Sequence, residues 1–216
     1  MTAGRIYLDS ADLGQAAQAA CSGVVTGITT NPAIMAAHTS EPLRQLSAVL
    51  HAFADGPVFH QLTATDVDGA AAEVAAVQAA LGDQATRVVL KLPAQQWWYE
   101  VGAGLVADDW RVAFTAVYSP GQAVCAAEIG AGWVIPYVDR SARLLPDAEG
   151  VVDRLRPFVP DEVVLLAASL KTPMQALDAL RDGADAITVT WDVIEALMAH
   201  PLTDSAVEEF RLAPGR

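Results

Sequence analysis

Lys91 stands in Val88-Val89-Leu90-Lys91-Leu92-Pro93, whose other members are all apolar and which reads as a buried strand. Desolvating an ammonium group costs on the order of several kcal/mol unless it is paired or loses its proton, so a lysine here is expected to have a depressed pKa. An amine titrating near ~10.4 is almost entirely protonated at pH 7, whereas one brought to ~7–8 is neutral to tens of per cent. A neutral amine in a dry pocket attacks carbonyl carbon and forms a Schiff base. The competing reading of the hexapeptide is an edge-strand lysine that snorkels to water. What separates the two is whether other polar groups converge on the same place.

Eight short apolar runs alternate with amphipathic or alanine-rich segments. We read strands at Ile6–Asp9, Thr26–Thr30, Pro57–Thr63, Arg87–Pro93, Trp110–Val117, Trp133–Val138, Val163–Ser169 and Ala186–Trp191. Helical stretches include Ala11–Ala20, Ala33–Ala36, Pro42–Ala54, Ala70–Ala80, Ala123–Ile129, Glu149–Arg156, Pro173–Leu180 and Val193–Ala199, with a last short helix over Asp204–Leu212. This order predicts an α/β fold, a (β/α)8 TIM barrel with a C-terminal helix; a doubly wound open sheet is the runner-up. No linker divides residues 1–216, so one domain is expected.

Polar residues fall at the carboxyl ends of these strands, where a barrel builds its active site. They are Asp9, Asn31, Gln61, Lys91, Thr115, Tyr137 and Ser169. Period-two alternation puts Val89 with Lys91, Ala113 with Thr115, Ile135 with Tyr137 and Ala167 with Ser169 on one face. Asn31-Pro32, Ser119-Pro120 and Thr172-Pro173 have the form of helix N-caps followed by proline. Ser169 and Lys171 just before a helix, with Arg140, could also hold an anion such as phosphate, or the two cations could pair with surface acids. Of the histidines, His38, His51 and His200 read as solvated, and His60 points away from Gln61 by alternation.

Composition narrows the partners. A formal charge of −13 repels nucleic acid and anionic membrane surfaces, and no apolar run reaches the roughly 18 residues that span a bilayer. Cys21 and Cys125 lie in apolar, helix-like surroundings and are expected to be buried free thiols, which suits a reducing cytoplasm. The first ten residues carry no apolar signal region.

Taken together, Tyr7-Leu8-Asp9-Ser10, Gly27-Ile28-Thr29-Thr30-Asn31-Pro32, Val89-Leu90-Lys91-Leu92-Pro93, Thr115-Ala116-Val117-Tyr118, Pro136-Tyr137-Val138-Asp139-Arg140 and Ala167-Ala168-Ser169-Leu170-Lys171-Thr172-Pro173 resemble the transaldolase family, within it the small fructose-6-phosphate aldolase branch. The pieces occur in family order over almost the whole chain. The resemblance implies a class I aldolase working through a lysine Schiff base, without metal or other cofactor, on a sugar or sugar phosphate. Lys91 matches the Schiff-base lysine and Asp9 the acid/base carboxylate beside it. Asn31, with Thr30 next to it, and Ser169 would hold hydroxyls of the donor; Gln61, Thr115 and Tyr137 would position a catalytic water, Tyr137 moving the proton; Arg140, Ser169 and Lys171 would hold the acceptor's phosphate. Glutamine and tyrosine at the Gln61 and Tyr137 positions go with the aldolase branch, glutamate and phenylalanine with true transaldolases. Transfer of a dihydroxyacetone unit is therefore the first alternative, and a sugar-phosphate-binding protein with little turnover the second. Relatives use the C-terminal tail, here about 201–216, to assemble pentamers or decamers.

The chain also departs from the family pattern. Ala94-Gln95-Gln96-Trp97-Trp98-Tyr99-Glu100 replaces the usual continuation after the lysine, and its aromatics either narrow the pocket or close it as a lid, or cover the outside of a helix. The segment Ser141–Asp147 replaces a glycine-rich one, Leu170 and Met174 stand where an aromatic and a polar or basic residue are expected, and the tail ends early in Pro214-Gly215-Arg216.

Overall fold

Eight parallel strands pair in sequence order and close on themselves, β8 returning to β1. In the computed structural model, residues 5–145 and 150–212 are described. The strands are β1 (Ile6–Asp9), β2 (Gly27–Thr29), β3 (Val58–Gln61), β4 (Val88–Pro93), β5 (Arg111–Val117), β6 (Trp133–Pro136), β7 (Val164–Ala167) and β8 (Ala186–Val189). Around them run α1 (Leu13–Ser22), α2 (Pro32–His38), α3 (Pro42–Ala52), α4 (Val67–Leu81), α5 (Gln96–Ala107), α6 (Pro120–Glu128), α7 (Val138–Leu144), α8 (Val151–Leu155), α9 (Pro173–Arg181), α10 (Trp191–Met198) and the C-terminal α11 (Pro201–Leu212). The predicted (β/α)8 barrel with its C-terminal helix is the observed fold.

Strand alternation divides the apolar residues into two cores. Tyr7, Phe59, Val89, Ala113, Ile135, Leu166, Ala168 and Ala186 fill the barrel, while Leu8, Ile28, Leu90, Phe114, Leu165 and Ile187 pack outward against the helices. Strands buried on both faces have no polar side to show, which is why they read as continuous apolar runs. In β7 the phase is one residue off the expected one: Leu166 and Ala168 face inward, and Ala167 joins the outer core. Ser169 still reaches the interior because its backbone turns left-handed, with φ 60°. β5 contains a comparable irregularity, a register shift between Thr115 and Val117 with Ala116 at φ 57°. That bulge ends the strand's alternation just after Thr115.

The proline-led caps form as expected. Asn31 Oδ1 accepts from Ile34 N at 3.0 Å, Thr172 Oγ1 from Gln175 N at 3.2 Å, and Ser119 makes a capping box with Gln122. Two helices were not among the stretches read from the sequence. α5 carries three aromatics and two glycines, all poor helix formers, and is held instead by packing. α7 begins where the predicted sixth strand was extended, at Val138.

The aromatic segment forms neither a lid nor an outer cover. Trp98 is 1% exposed and stacks on Trp97 at 4.1 Å between centroids, while Tyr99 stacks on Phe114 of β5 at 4.6 Å and donates to the Gln122 carbonyl at 3.2 Å. A Cβ at Gly102 would meet Phe114 and Ile129 side-chain atoms at 2.9 Å, so glycine there lets α5 settle onto β5. The cysteines also differ from expectation. Cys21 and Cys125 are both exposed, because α1 and α6 bury their alanines, Ala16 with Ala19 and Ala123 with Ala126, and turn the thiols to solvent. No described helix is long and apolar enough to cross a membrane. The expected structure at Pro146, Asp147, Glu149 and Pro214–Arg216 lies outside the described residues.

The wedge role of α5 is testable. Trp98→Ala, which leaves a large cavity between α5 and the barrel, is expected to lower unfolding free energy by about 3–5 kcal/mol in denaturant titration. A loss below about 1 kcal/mol would mean that Trp98 does not anchor the helix.

Candidate active site

Strand register brings the lysine to the carboxylate from the opposite side of the barrel mouth. Asp9 ends β1, Lys91 lies on β4, and Tyr137 follows β6, held by a lone bridge to Ala168. Together with Thr29, Asn31, Arg140, Arg143, Ser169, Lys171 and Thr188 they line a cavity of about 210 Å³. Lys91 is 4% exposed, and its Nζ donates to the Thr30 carbonyl at 2.5 Å. The snorkelling alternative is therefore excluded for Lys91.

Burial governs the titration of this group. It lowers the Lys91 pKa to about 8, against the opposing attraction of Asp9. Asp9 is raised by its own desolvation, partly offset by Lys91, by the Thr29 hydroxyl at 2.8 Å and by Lys171. Each ion is drawn toward the other, and for both the loss of water outweighs that attraction. Tyr137 is likewise raised by burial, with a hydrogen bond to Thr115 working the other way.

Thr115 is 1% exposed and acts behind Tyr137, donating to its hydroxyl at 3.1 Å. Gln61 pairs with Lys91 in strand register, and its Oε1 is buried without a hydrogen-bond partner among the described residues. It does not line the same cavity. Gln61, Thr30 and His60 border an outer cavity of about 370 Å³ between α2, α3 and α4, which shares Asn31 with the inner one. Thr30 points its hydroxyl at the Phe59 carbonyl, 2.8 Å away, so what it presents to Lys91 is its backbone oxygen. His60 is desolvated to a pKa of about 4 and is neutral at physiological pH.

Asn31 spends its side-chain oxygen on the cap of α2 and borders both cavities. At the mouth stand Arg140, Arg143 and Lys171. Arg140 and Lys171 make no ion pair among the described residues, while Arg143 Nε binds Asp139 at 2.9 Å. Asp139 N donates to the Ser169 carbonyl at 3.2 Å, and Lys171 N donates to Gln175 Oε1 at 2.7 Å, which ties the Ser169–Thr172 loop to α7 and α9. Leu170 is buried, whereas Met174 is exposed. Among residues not singled out from the sequence, Thr29, Thr188 and Arg143 join the site. Thr29 and Thr188 were legible only as buried polar residues in strands, and Arg143 only as one more surface charge.

The arrangement can form a Schiff base at Lys91, exchange protons near Asp9 and Tyr137, and hold an anion at Arg140 and Lys171. Comparison with known proteins places the chain in a family. The transaldolase/fructose-6-phosphate aldolase family matches residues 6–213. A probable transaldolase from Hydrogenobaculum sp. (strain Y04AAS1) is 32% identical over 209 residues, covering 95% of this chain and 94% of that protein. One from Anaeromyxobacter sp. (strain Fw109-5) is 33% identical over 210 residues, covering 95% of each. The structure of a Pediococcus acidilactici protein described as a lactate oxidase superposes with a TM-score of 0.58 at 14% identity, over 86% of this chain and 62% of that one, a likeness of fold alone. With a family match across nearly its whole length and relatives above 30% identity at full coverage, this chain belongs to the transaldolase/fructose-6-phosphate aldolase family.

Proposed function

We propose that this protein is a class I aldolase that makes or cleaves a ketose phosphate such as fructose 6-phosphate, from a dihydroxyacetone-type donor and an aldehyde acceptor. The observation that carries this reading is the enclosed Lys91 amine, with a pKa of about 8 and Asp9 beside it. Lys91 Nζ attacks the donor's carbonyl carbon; the carbinolamine loses water with a proton delivered from the Asp9 side, leaving an iminium. The iminium withdraws electrons, so the adjacent hydroxylated carbon gives up a proton, through a water that Tyr137 orients, to the Asp9 carboxylate left by the dehydration, and becomes an enamine carbon. That carbon bonds to the aldehyde carbon, the new alkoxide is protonated, and water releases the ketose from Lys91. Arg140 and Lys171 balance the charge of a phosphorylated acceptor within a strongly acidic chain.

Gln61 and Tyr137, the pair of the aldolase branch, favour free aldol addition. In this reading the Thr115–Tyr137 pair orients the proton-carrying water. The second reading is transaldolase, and the names of the curated relatives favour it. A single barrel, assembled into a ring through α11, fits either one. α11 leaves Leu202, Phe210 and Leu212 about three-quarters exposed, as a helix awaiting a neighbouring subunit would.

Four outcomes are expected. Borohydride with dihydroxyacetone or fructose 6-phosphate traps an adduct that peptide mass mapping assigns to Lys91, and Lys91→Met abolishes it; no adduct on folded protein would move the reading to sugar-phosphate binding. Fructose 6-phosphate alone is cleaved by an aldolase, whereas a transaldolase turns over only when an acceptor aldose phosphate is added. Tyr137→Phe slows aldol addition by about a hundredfold or more while the Lys91 adduct still traps, and an unchanged rate would remove Tyr137 from proton transfer. The reacting amine is the neutral form and its pKa is depressed, so kcat/KM should rise with pH through about 8 and level above it. A flat profile from pH 6 to 9 would contradict the buried-amine assignment.

A further inference from the structure

The side of the cavity opposite Tyr137 contains a second pair of hydroxyls. Thr29 on β2 and Thr188 on β8 are 1% and 3% exposed, and their Oγ1 atoms lie 2.6 Å apart. Thr29 Oγ1 also lies 2.8 Å from Asp9 Oδ1. The strands explain the meeting: β1 runs between β2 and β8, with Asp9 level with Thr29 on one side and Thr188 level with Tyr7 on the other. All three side chains border the cavity.

Counting protons sets the direction of these bonds. An ionised Asp9 only accepts, and Thr29 has one hydroxyl proton, which goes to Asp9. The short contact to Thr188 then requires the Thr188 proton to point at Thr29, leaving Thr188 to offer only lone pairs to the cavity. When Asp9 takes up a proton, the order can reverse: Asp9 donates to Thr29, Thr29 to Thr188, and Thr188 turns its own proton toward the ligand. We propose that Thr188 is a positioning residue that, through Thr29, holds Asp9 in its ionised orientation and presents to a donor hydroxyl an acceptor or a donor according to whether Asp9 carries a proton. Chained hydroxyls polarise one another, so the Thr188 bond strengthens the one that Thr29 gives to the carboxylate.

This inference rests on the aldolase reading for its catalytic consequence but not for its hydrogen-bond content. The other charged or titratable groups around Asp9 are Lys91 on β4, Tyr137 after β6 and Lys171 before α9, and none of them touches Thr188 in a hydrogen bond. The contribution of Thr188 is therefore separable from theirs.

The test follows the Asp9 carboxyl by carbon-13 NMR through a pH titration of the full chain carrying labelled aspartate, the Asp9 signal being assigned with Asp9→Asn. Thr188→Val preserves shape and removes the hydroxyl; Thr188→Ser keeps the hydroxyl and loses a methyl. Thr188→Val is expected to raise the Asp9 midpoint by roughly half a pH unit, and Thr188→Ser to restore it. KM for the ketose donor should be several-fold higher in the valine variant and return toward the parent value in Thr188→Ser. An unmoved midpoint in Thr188→Val, or the same shift in Thr188→Ser as in Thr188→Val, overturns the proposal. If the parent protein traps no ketose on Lys91, the aldolase reading fails on that ground, and the titration still decides the hydroxyl relay.

Discussion

The site depends on one unfavourable act, the burial of the Lys91 amine inside a barrel otherwise filled by Phe59, Val89, Ala113 and Ile135. An ammonium group there has lost its water, and it keeps two compensations: the Thr30 carbonyl at 2.5 Å and the charge of Asp9. Neither restores what bulk water supplied, so its pKa settles near 8. The same dry surroundings raise Asp9, against the pull of Lys91 and of the Thr29 hydroxyl. Two groups of opposite charge each thus sit closer to neutrality than they would in water, a suitable state for groups that trade protons.

The outer face of the strands makes this burial possible. Helices cover every strand, and α5 shows how closely, with Trp98 inserted beneath it and Gly102 allowing contact with Phe114. The polar cavity that holds Lys91 opens at the carboxyl ends of the strands. There the local charge is opposite to that of the whole chain. Arg140, Arg143 and Lys171 gather at the mouth of a protein with a formal charge of −13, and only Arg143 is neutralised by a described neighbour, Asp139. A field of that shape repels anions generally and admits them at one point.

Much of this was legible in the order of residues. The alternation of apolar runs and amphipathic segments located the eight strands to within two residues at every end, because a fully buried parallel strand has to be apolar on both sides. Asp9, Lys91, Tyr137 and Ser169 were legible as candidate site residues for the complementary reason, since several polar groups within or at the ends of such runs converge on one end of a barrel. The phase of β7 was not legible. Strict alternation assigned Ala167 to the interior, and only the left-handed turn at Ser169 returns that hydroxyl to the cavity. The cysteines misled in a similar way, because alanine-rich stretches beside Cys21 and Cys125 mark a helix without saying which face is covered.

The sequence by itself determined the elements, their order and the chemistry that the family motifs can perform, since periodicity and residue type act locally along the chain. Only the tertiary structure decided which groups meet. Thr188 is 159 residues from Thr29 and lies 2.6 Å from it because the eighth strand closes the barrel beside the first. Gln61 neighbours Lys91 in register yet borders the outer cavity and not the inner one, and Thr30 serves the amine with its backbone while its side chain binds elsewhere. Such contacts depend on ring closure, strand stagger and single backbone angles, quantities set by the packing of the whole barrel and by no local run of residues.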